Sequence, residues 1–137
     1  MRKVFGIIAI IIFVVILDFM TERYTNNTVN EITEKLTILN EKVDKYIDNS
    51  KFYMDNKNLE EIIKISNELL ENWREKDNVL SFYIEHDELE KISNKINSFN
   101  KQVETSNYND AIVSLIETEF LLNHITQKQN LSLKNIF

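Results

Sequence analysis

Residues 29–46 read VNEITEKLTILNEKVDKY, and their apolar side chains recur at alternating steps of three and four residues. The positions are Val29, Ile32, Leu36, Leu39, Val43 and Tyr46. This spacing places them along one face of an α-helix. Because the stripe is shorter than three heptads, we predict that it is buried inside the chain's own domain. A seam between two chains is the alternative.

Further apolar stripes with helical spacing follow toward the C-terminus. They lie within residues 59–73, 89–103 and 108–125, and polar segments around residues 53–58 and 105–107 separate them. The chain has one glycine and no proline, whereas sheets and tight turns draw on both residue types. The sequence therefore predicts an all-α fold.

Capping patterns suggest where these helices begin. Asn58 with Glu61, and Asp87 with Glu90, have the spacing of an N-cap residue and an acidic residue at position N3. Ser132 is expected to cap a final turn. These patterns predict helices that start just after Asn58 and Asp87.

Three segments leave their local structure more open. Residues 25–28 are polar and form either a hinge or more helix. The run VLSFYI at 79–84 has the length of a buried strand, but its helical neighbours favour a short buried helix. The apolar Ile136 and Phe137 are expected to pack against the domain.

One internal similarity suggests how the helices pair. At a constant offset of 52, the residues Leu59, Ile63, Leu69, Leu70 and Trp73 align with Ala111, Leu115, Leu121, Leu122 and Ile125. Tetratricopeptide-like helix pairs would give such an alignment, although shared amphipathicity gives it too. We predict a small antiparallel helical bundle, with tetratricopeptide-like pairs as a variant.

The N-terminus carries a different signal. Residues 4–17 contain no polar side chain, and Asp18 then precedes Phe19 and Met20. A helix over 4–20 would be about 25 Å long, short but workable for a hydrocarbon core of about 30 Å. Arg2 and Lys3 precede it, so the positive-inside rule places the N-terminus in the cytoplasm.

A cleaved signal peptide is the rival interpretation of this segment. Cleavage favours small residues at the −3 and −1 positions, and the sequence DFMTERYT that follows Leu17 offers no such site. We therefore predict an uncleaved signal anchor over residues 1–23, contacting the membrane through residues 4–20. Residues 24–137 would then form an extracytoplasmic helical domain of a single-pass cell-membrane protein.

Composition excludes several function classes. The chain has no cysteine, so it has no disulfide framework, thiolate metal site or thiol nucleophile. Its net charge is −6, from 22 acidic and 16 basic residues. Nucleic-acid binding depends mainly on Lys and Arg at the phosphates, so no nucleic-acid partner is expected.

No catalytic pattern is present either. Gly6 is the only glycine, which rules out phosphate-cradling glycine loops. The sequence has no nucleophile elbow, and the neighbouring carboxylates lie mostly on polar helix faces. We expect a protein that is not an enzyme and that needs no cofactor or metal.

The aromatic residues and the histidines are the remaining candidates for a functional site. His86 and His124 lack the spacing of a metal site, and structural roles are favoured for both. Trp73, Phe82 and Tyr83 form the aromatic centre of the chain, and a place in the core is favoured over an interface. These five residues are the candidate interaction site.

Sequence order over almost the whole chain supports a family resemblance. The matched features are the Arg2-Lys3 and apolar N-terminus, Trp73 before Leu80-Ser-Phe-Tyr-Ile84, His86 with Glu88-Leu89, Leu121-Leu-Asn-His-Ile125 and Leu133-Lys-Asn-Ile-Phe137. The chain resembles the small bacterial proteins of domain-of-unknown-function family 4363 (DUF4363). The resemblance implies a membrane-anchored helical protein of low-GC Gram-positive bacteria, and it implies no activity.

Two hypotheses for function follow. The first is an accessory or scaffold protein that binds another envelope or membrane protein, through a helical groove or through the stripe at residues 29–46. The second is an extracytoplasmic domain that binds or senses a small ligand. A sensor would normally return to the cytoplasm through a second span, and no second apolar span follows residue 20.

Overall fold

A computed structural model describes the backbone of residues 2–50 and 56–134, and the side chains of residues 4–48 and 57–129. The chain forms four helices, α1 (Arg2–Ser50), α2 (Asn56–Leu80), α3 (His86–Glu104) and α4 (Tyr108–Lys134). The described residues contain no strand. The all-α prediction is confirmed.

Helix α1 runs without a break for 49 residues. No proline or glycine interrupts it after Gly6, and residues 25–28 are helical rather than a hinge. Thr25 and Thr28 are buried, and the Thr25 hydroxyl donates to the Thr21 carbonyl at 3.0 Å. Such back-bonding satisfies a buried hydroxyl inside a helix.

The two halves of α1 have different surroundings. The large apolar side chains of residues 4–20, hereafter the apolar segment, are exposed. By length and composition, α1 is long and apolar enough to cross a membrane. From Thr25 onward one face of the same helix is buried against the other helices.

The core lies between the four helices beyond the apolar segment. Helix α1 packs against α2 and α4, and α3 packs against the same two helices. The stripe of residues 29–46 is buried together with apolar residues of all the other helices. The prediction that this stripe packs inside its own domain is confirmed.

Polar bonds between helices reinforce this packing. The Asn72 amide donates to one carboxylate oxygen of Glu31 at 2.6 Å, and the Lys76 ammonium lies 2.9 Å from the other. These two hydrogen bonds lower the pKa of Glu31. Between α2 and α3, the Trp73 indole N–H donates to the Ser93 hydroxyl at 2.7 Å.

The prediction of a separate short helix over residues 79–84 is wrong. Val79 and Leu80 are the last residues of α2, and a turn follows at Ser81–Tyr83. The Ser81 N–H donates to the Asp77 carbonyl, and the Ile84 N–H donates to the Leu80 carbonyl. Leu80 and Ile84 are buried, whereas Phe82 between them is directed away from the core.

The predicted N-caps are also wrong. Helix α2 begins at Asn56, so Asn58 lies inside its first turn. Helix α3 has Glu85 as its N-cap, and Asp87 lies in its first turn. Ile84 and Leu89 occupy positions N′ and N4 of a hydrophobic staple, and both are buried. Burial of that pair, rather than the capping side chain, sets the start of α3.

The C-terminal end differs in the same way. Ser132 does not cap a new turn, because α4 continues through it to Lys134. Nothing in the backbone pattern of α4 requires a break after Gln127, since the segment lacks glycine and proline. Ile136 and Phe137 lie outside the described residues.

The polar break at residues 105–107 is confirmed, and its geometry is that of a helix C-cap. Ser106 has a positive φ of 61°, and the Asn107 N–H donates to the Gln102 carbonyl at 2.8 Å. This 6→1 hydrogen bond is typical of a Schellman motif, in which the residue with left-handed backbone angles is usually glycine. With no glycine there, serine adopts this conformation at some cost.

Trp73 is the largest fully buried side chain, with 1% of its surface exposed. We expect Trp73→Ala to lower the free energy of unfolding by about 3–5 kcal/mol, because it leaves a cavity and removes the hydrogen bond that the indole donates to Ser93. Phe82→Ala is the matched control, since 87% of Phe82 is exposed, and it should change stability by less than about 0.5 kcal/mol. Urea unfolding followed by circular dichroism measures both; equal effects would contradict the assigned core.

Candidate functional site

The predicted interaction residues fall into two groups. Trp73 is buried in the core, so it cannot contact a partner directly. Phe82 and Tyr83 lie in the turn between α2 and α3, His86 is the first residue of α3, and His124 lies on α4. The structure brings these four residues to one end of the domain.

The turn at residues 81–84, hereafter the proximal turn, lies beside the start of the buried part of α1. The Tyr83 hydroxyl is 3.3 Å from the Thr25 hydroxyl. Burial raises the pKa of Tyr83, although the hydrogen bond with Thr25 opposes the change. Thr25 is five residues beyond Met20, so the turn is about 8 Å along the helix axis from the apolar segment.

Phe82 is the most exposed aromatic side chain of the proximal turn. Its neighbours Leu80 and Ile84 anchor the turn in the core, so Phe82 is held outward by packing on both sides. Phe82 is 87% exposed. A partner that covered it would remove apolar surface from water, which is favourable. Position and exposure make Phe82 the best candidate for a contact residue.

A polar cluster joins the start of α3 to the end of α4. The Lys128 ammonium lies 2.8 Å from Glu88 and 3.0 Å from Glu85. His124 Nε2 lies 3.8 Å from the same Glu88 oxygen. Hydrogen bonds with Glu88 and then Glu85 raise the pKa of Lys128. The cluster therefore links α3 to α4 beside the proximal turn, at a surface where ion pairs contribute little stability.

His86 is exposed and lies at the boundary between α2 and α3. Burial raises the pKa of the Asp77 carboxyl, and the charge of His86 acts in the opposite direction. The two histidines thus have separate carboxylate neighbours, Asp77 for His86 and Glu88 for His124. Among the described residues, no group of three or more His, Asp or Glu side chains is arranged to hold a metal ion.

The pockets at this end are small. One of about 170 Å³ is lined by Tyr83, Ile84, Glu85, Glu88, Ile125, Lys128 and Gln129. Small-molecule sites typically enclose about 300–1,000 Å³. A pocket of about 330 Å³ near the apolar segment is lined by α1 residues alone, so it is a surface groove rather than a cavity between helices.

Sequence reasoning missed two features. Lys128 and Glu88 are 40 residues apart, so no local pattern could pair them. The exposed apolar residues Val113, Ile116 and Phe120 form a second stripe on α4, and their steps of three and four residues were a readable signal. That signal is hidden because α4 is apolar on its core face as well.

Asp77→Asn tests the electrostatics beside His86. A carboxyl whose pKa is raised by folding contributes most stability below its unfolded pKa of 3.8, and it loses that stability as the pH rises. At pH 7 the charged Asp77 therefore lowers the free energy of unfolding. At pH 7 we expect Asp77→Asn to raise the Tm, with a gain in the free energy of unfolding of less than about 1 kcal/mol. Below about pH 4 the variant should lose this advantage.

The matched control for this prediction is Asp44→Asn, on the exposed surface of α1. It should leave stability within about 0.5 kcal/mol at both pH values. Thermal unfolding of the full chain in detergent micelles, followed by circular dichroism, measures both variants. A loss of stability in Asp77→Asn at pH 7 would contradict the assigned cost of burial.

Comparison with known proteins places this geometry in a family. Neither the curated proteins nor the solved structures include a significant match to the chain. A family model described as "Domain of unknown function (DUF4363)" matches residues 23–136. The match covers all of the helical core and begins where the apolar segment ends. The chain therefore belongs to the DUF4363 family, as the resemblance in its sequence implied.

Proposed function

We propose that this protein is a non-catalytic accessory or scaffold protein of the cell membrane, which binds another membrane or envelope protein through its proximal turn. The observation that carries the proposal is the exposed Phe82 at the end of the domain nearest the apolar segment. A partner held in the same membrane would meet this end first. The non-catalytic part rests on the sequence, which offers no nucleophile elbow or glycine loop.

The architecture in this proposal is an antiparallel four-helix bundle. Glu31 pairs with Lys76 while Lys42, further along α1, pairs with Glu61 nearer the start of α2. The same reversal of order relates α2 to α3, with the pairs Trp73–Ser93 and Asn67–Asn100. It relates α3 to α4, with Lys95–Glu117 and Glu88–Lys128. For α1 and α4, Tyr46 contacts Tyr108 while Leu36 shares a pocket with Leu115.

A closed ring of helices is favoured over tetratricopeptide-like pairs. Stacked pairs would bring α1 against α3 or α2 against α4. In the described part of the chain, neither contact is present, whereas α4 packs on α1. Short connections between sequence neighbours also favour an up-down-up-down bundle.

The membrane part of the proposal rests on the exposed side chains of residues 4–20. So many neighbouring apolar side chains without a protein partner favour lipid as their surroundings. Arg2 and Lys3 favour a cytoplasmic N-terminus. The proposed topology is a single uncleaved span with the domain of residues 24–137 outside the cytoplasm.

Protein is a better partner for the proximal turn than lipid. The residues that follow Phe82 include Glu85, Asp87 and Glu88. Lys128, which pairs with two of them, leaves the group net negative, and an anionic membrane surface repels such a group. The stripe of residues 29–46 cannot serve as the docking surface, because it is buried. The ligand-binding alternative needs a larger pocket than the one beside Lys128.

The topology is tested with single-cysteine variants, since the chain has no cysteine of its own. Asn94→Cys lies on the exposed surface of α3. We expect a membrane-impermeant maleimide to label it in intact cells, and alkaline carbonate to leave the protein in the membrane pellet. Labelling only after permeabilisation would reverse the orientation, and a mature N-terminus beyond residue 18 would show a cleaved, secreted domain.

Partner binding is tested with a photo-crosslinking phenylalanine analogue at position 82. The matched control carries it at position 97, which is exposed on α3. We expect one discrete protein adduct in native membranes from position 82 and none from position 97. An adduct with lipid alone, or equal adducts from both positions, would contradict a protein-binding role for the proximal turn.

A further inference from the structure

Helix α4 exposes a stripe of large apolar side chains on its outer face, whereas the described residues of α2 expose Val79 alone and those of α3 expose none. Its inner face carries buried residues such as Leu115 and Leu122, and the outer face exposes Val113, Ile116 and Phe120. Phe120 is 71% exposed. A helix that is apolar on opposite sides normally has both sides covered, and the described residues cover only one.

The outer face has the pattern of a short coiled-coil seam. At alternating steps of four and three residues, the exposed positions are Asn109, Val113, Ile116, Phe120, Asn123 and Gln127. These residues, hereafter the α4 seam, include no charged side chain. Apolar residues at its centre and amides at its ends match positions a and d of a heptad repeat.

We propose that the α4 seam binds the α4 seam of a second copy of this chain in the same membrane, with the two helices parallel and in register. The inference rests on the membrane anchoring proposed above. Copies inserted in one membrane with one topology have parallel α4 helices. In-register pairing then sets Phe120 against Phe120 and Asn123 against Asn123.

One pair of polar groups that flank the seam is complementary in this arrangement. The other flanking carboxylates, Asp110 and Glu117, contact Asn107 and Lys95 of their own chain. Glu119 occupies position g and His124 occupies position e of the next heptad, the two positions that meet across a parallel pair. Glu119 forms no ion pair within the described residues, and the side chain of His124 is 56% exposed. The imidazole N–H of one copy would donate to the Glu119 carboxylate of the other, twice in the symmetric pair.

Lipid is not the occupant of the seam. Leu36 and Asn40 of α1 line one pocket together with Leu115 and Ile116 of α4, so Ile116, in the middle of the seam, is level with residues 36–40. That level is about 24 Å along α1 from Met20. The headgroup layer ends about 5–8 Å beyond the hydrocarbon core, so the apolar centre of the seam lies well outside it.

The seam is short, and this sets where pairing occurs. A stable interface takes roughly 20–30 residues from each partner. The seam has only three apolar side chains at its centre, so it buries far less surface than such an interface. Confinement in one membrane raises the effective concentration and fixes the orientation. Pairing is therefore expected for the anchored chain and weak for the domain in free solution.

Disulfide crosslinking of single-cysteine variants tests this arrangement. The purified full chain is inserted in phosphatidylcholine vesicles, which contain no other protein, and oxidised mildly. We expect Asn109→Cys and Asn123→Cys each to form disulfide dimers, because both are in-register positions. The exposed control Asn94→Cys on α3 should crosslink about tenfold less. In an antiparallel pair, Asn123 would not face its own copy.

A second substitution tests the chemistry of the seam. Phe120→Glu in the Asn123→Cys chain places two carboxylates face to face, so we expect the dimer fraction to fall about tenfold or more. The exposed position leaves the monomer fold intact, which circular dichroism checks. Glu119→Lys should also lower the fraction, and His124→Glu added to it should restore the fraction.

Several outcomes would overturn the proposal. They are equal crosslinking at positions 94 and 123, no dimer at position 123, or no effect of Phe120→Glu. Alkaline carbonate extraction of the same vesicles reports separately on anchoring. If the chain stays in the vesicles without crosslinking, the proposal for the seam is wrong and the proposed anchor is still supported. The experiment does not test the proximal turn, because the vesicles contain no other protein.

Discussion

The structure depends on one helix that passes from one environment to another without a break. Residues 4–20 of α1 expose apolar side chains in every direction, whereas from Thr25 onward only one face is apolar and buried. The change requires the backbone to remain helical across a polar stretch. There the Thr21 and Thr25 hydroxyls donate to carbonyls of the preceding turn, so both hydroxyls are paired inside the helix.

The buried part of α1 organises the other helices. It contacts α2 on one side and α4 on the other, and α3 closes the ring. Two polar contacts between α2 and α3 join specific partners, the bond from Trp73 to Ser93 and the bond from Asn100 to Asn67. Apolar burial supplies the stability of such a core, and these hydrogen bonds select one rotation of each helix over its neighbours.

The sequence predicted the helices better than their ends. The spacing of Val29 to Tyr46 could be read directly, because helical periodicity depends only on the local chain. The start of α3 could not, since the burial of Ile84 with Leu89 outweighs the capping preference of Asp87. Likewise, the apolar run at residues 79–84 predicts a single buried element, whereas in the structure the Phe82 side chain is exposed. Exposure of that residue depends on the path of the turn, which the local pattern does not contain.

The continuity of α1 has a consequence for how the domain is aimed. An unbroken helix fixes both the rotation of the domain about the helix axis and its distance from the apolar segment. Each residue turns the chain by about 100° and advances it by about 1.5 Å. The segment between Met20 and Thr25 therefore sets the direction in which the proximal turn and α4 face relative to the apolar segment. One inserted residue would rotate the whole domain by more than a quarter turn about the axis of α1. Seven would raise it by about 10 Å and return it nearly to its original bearing.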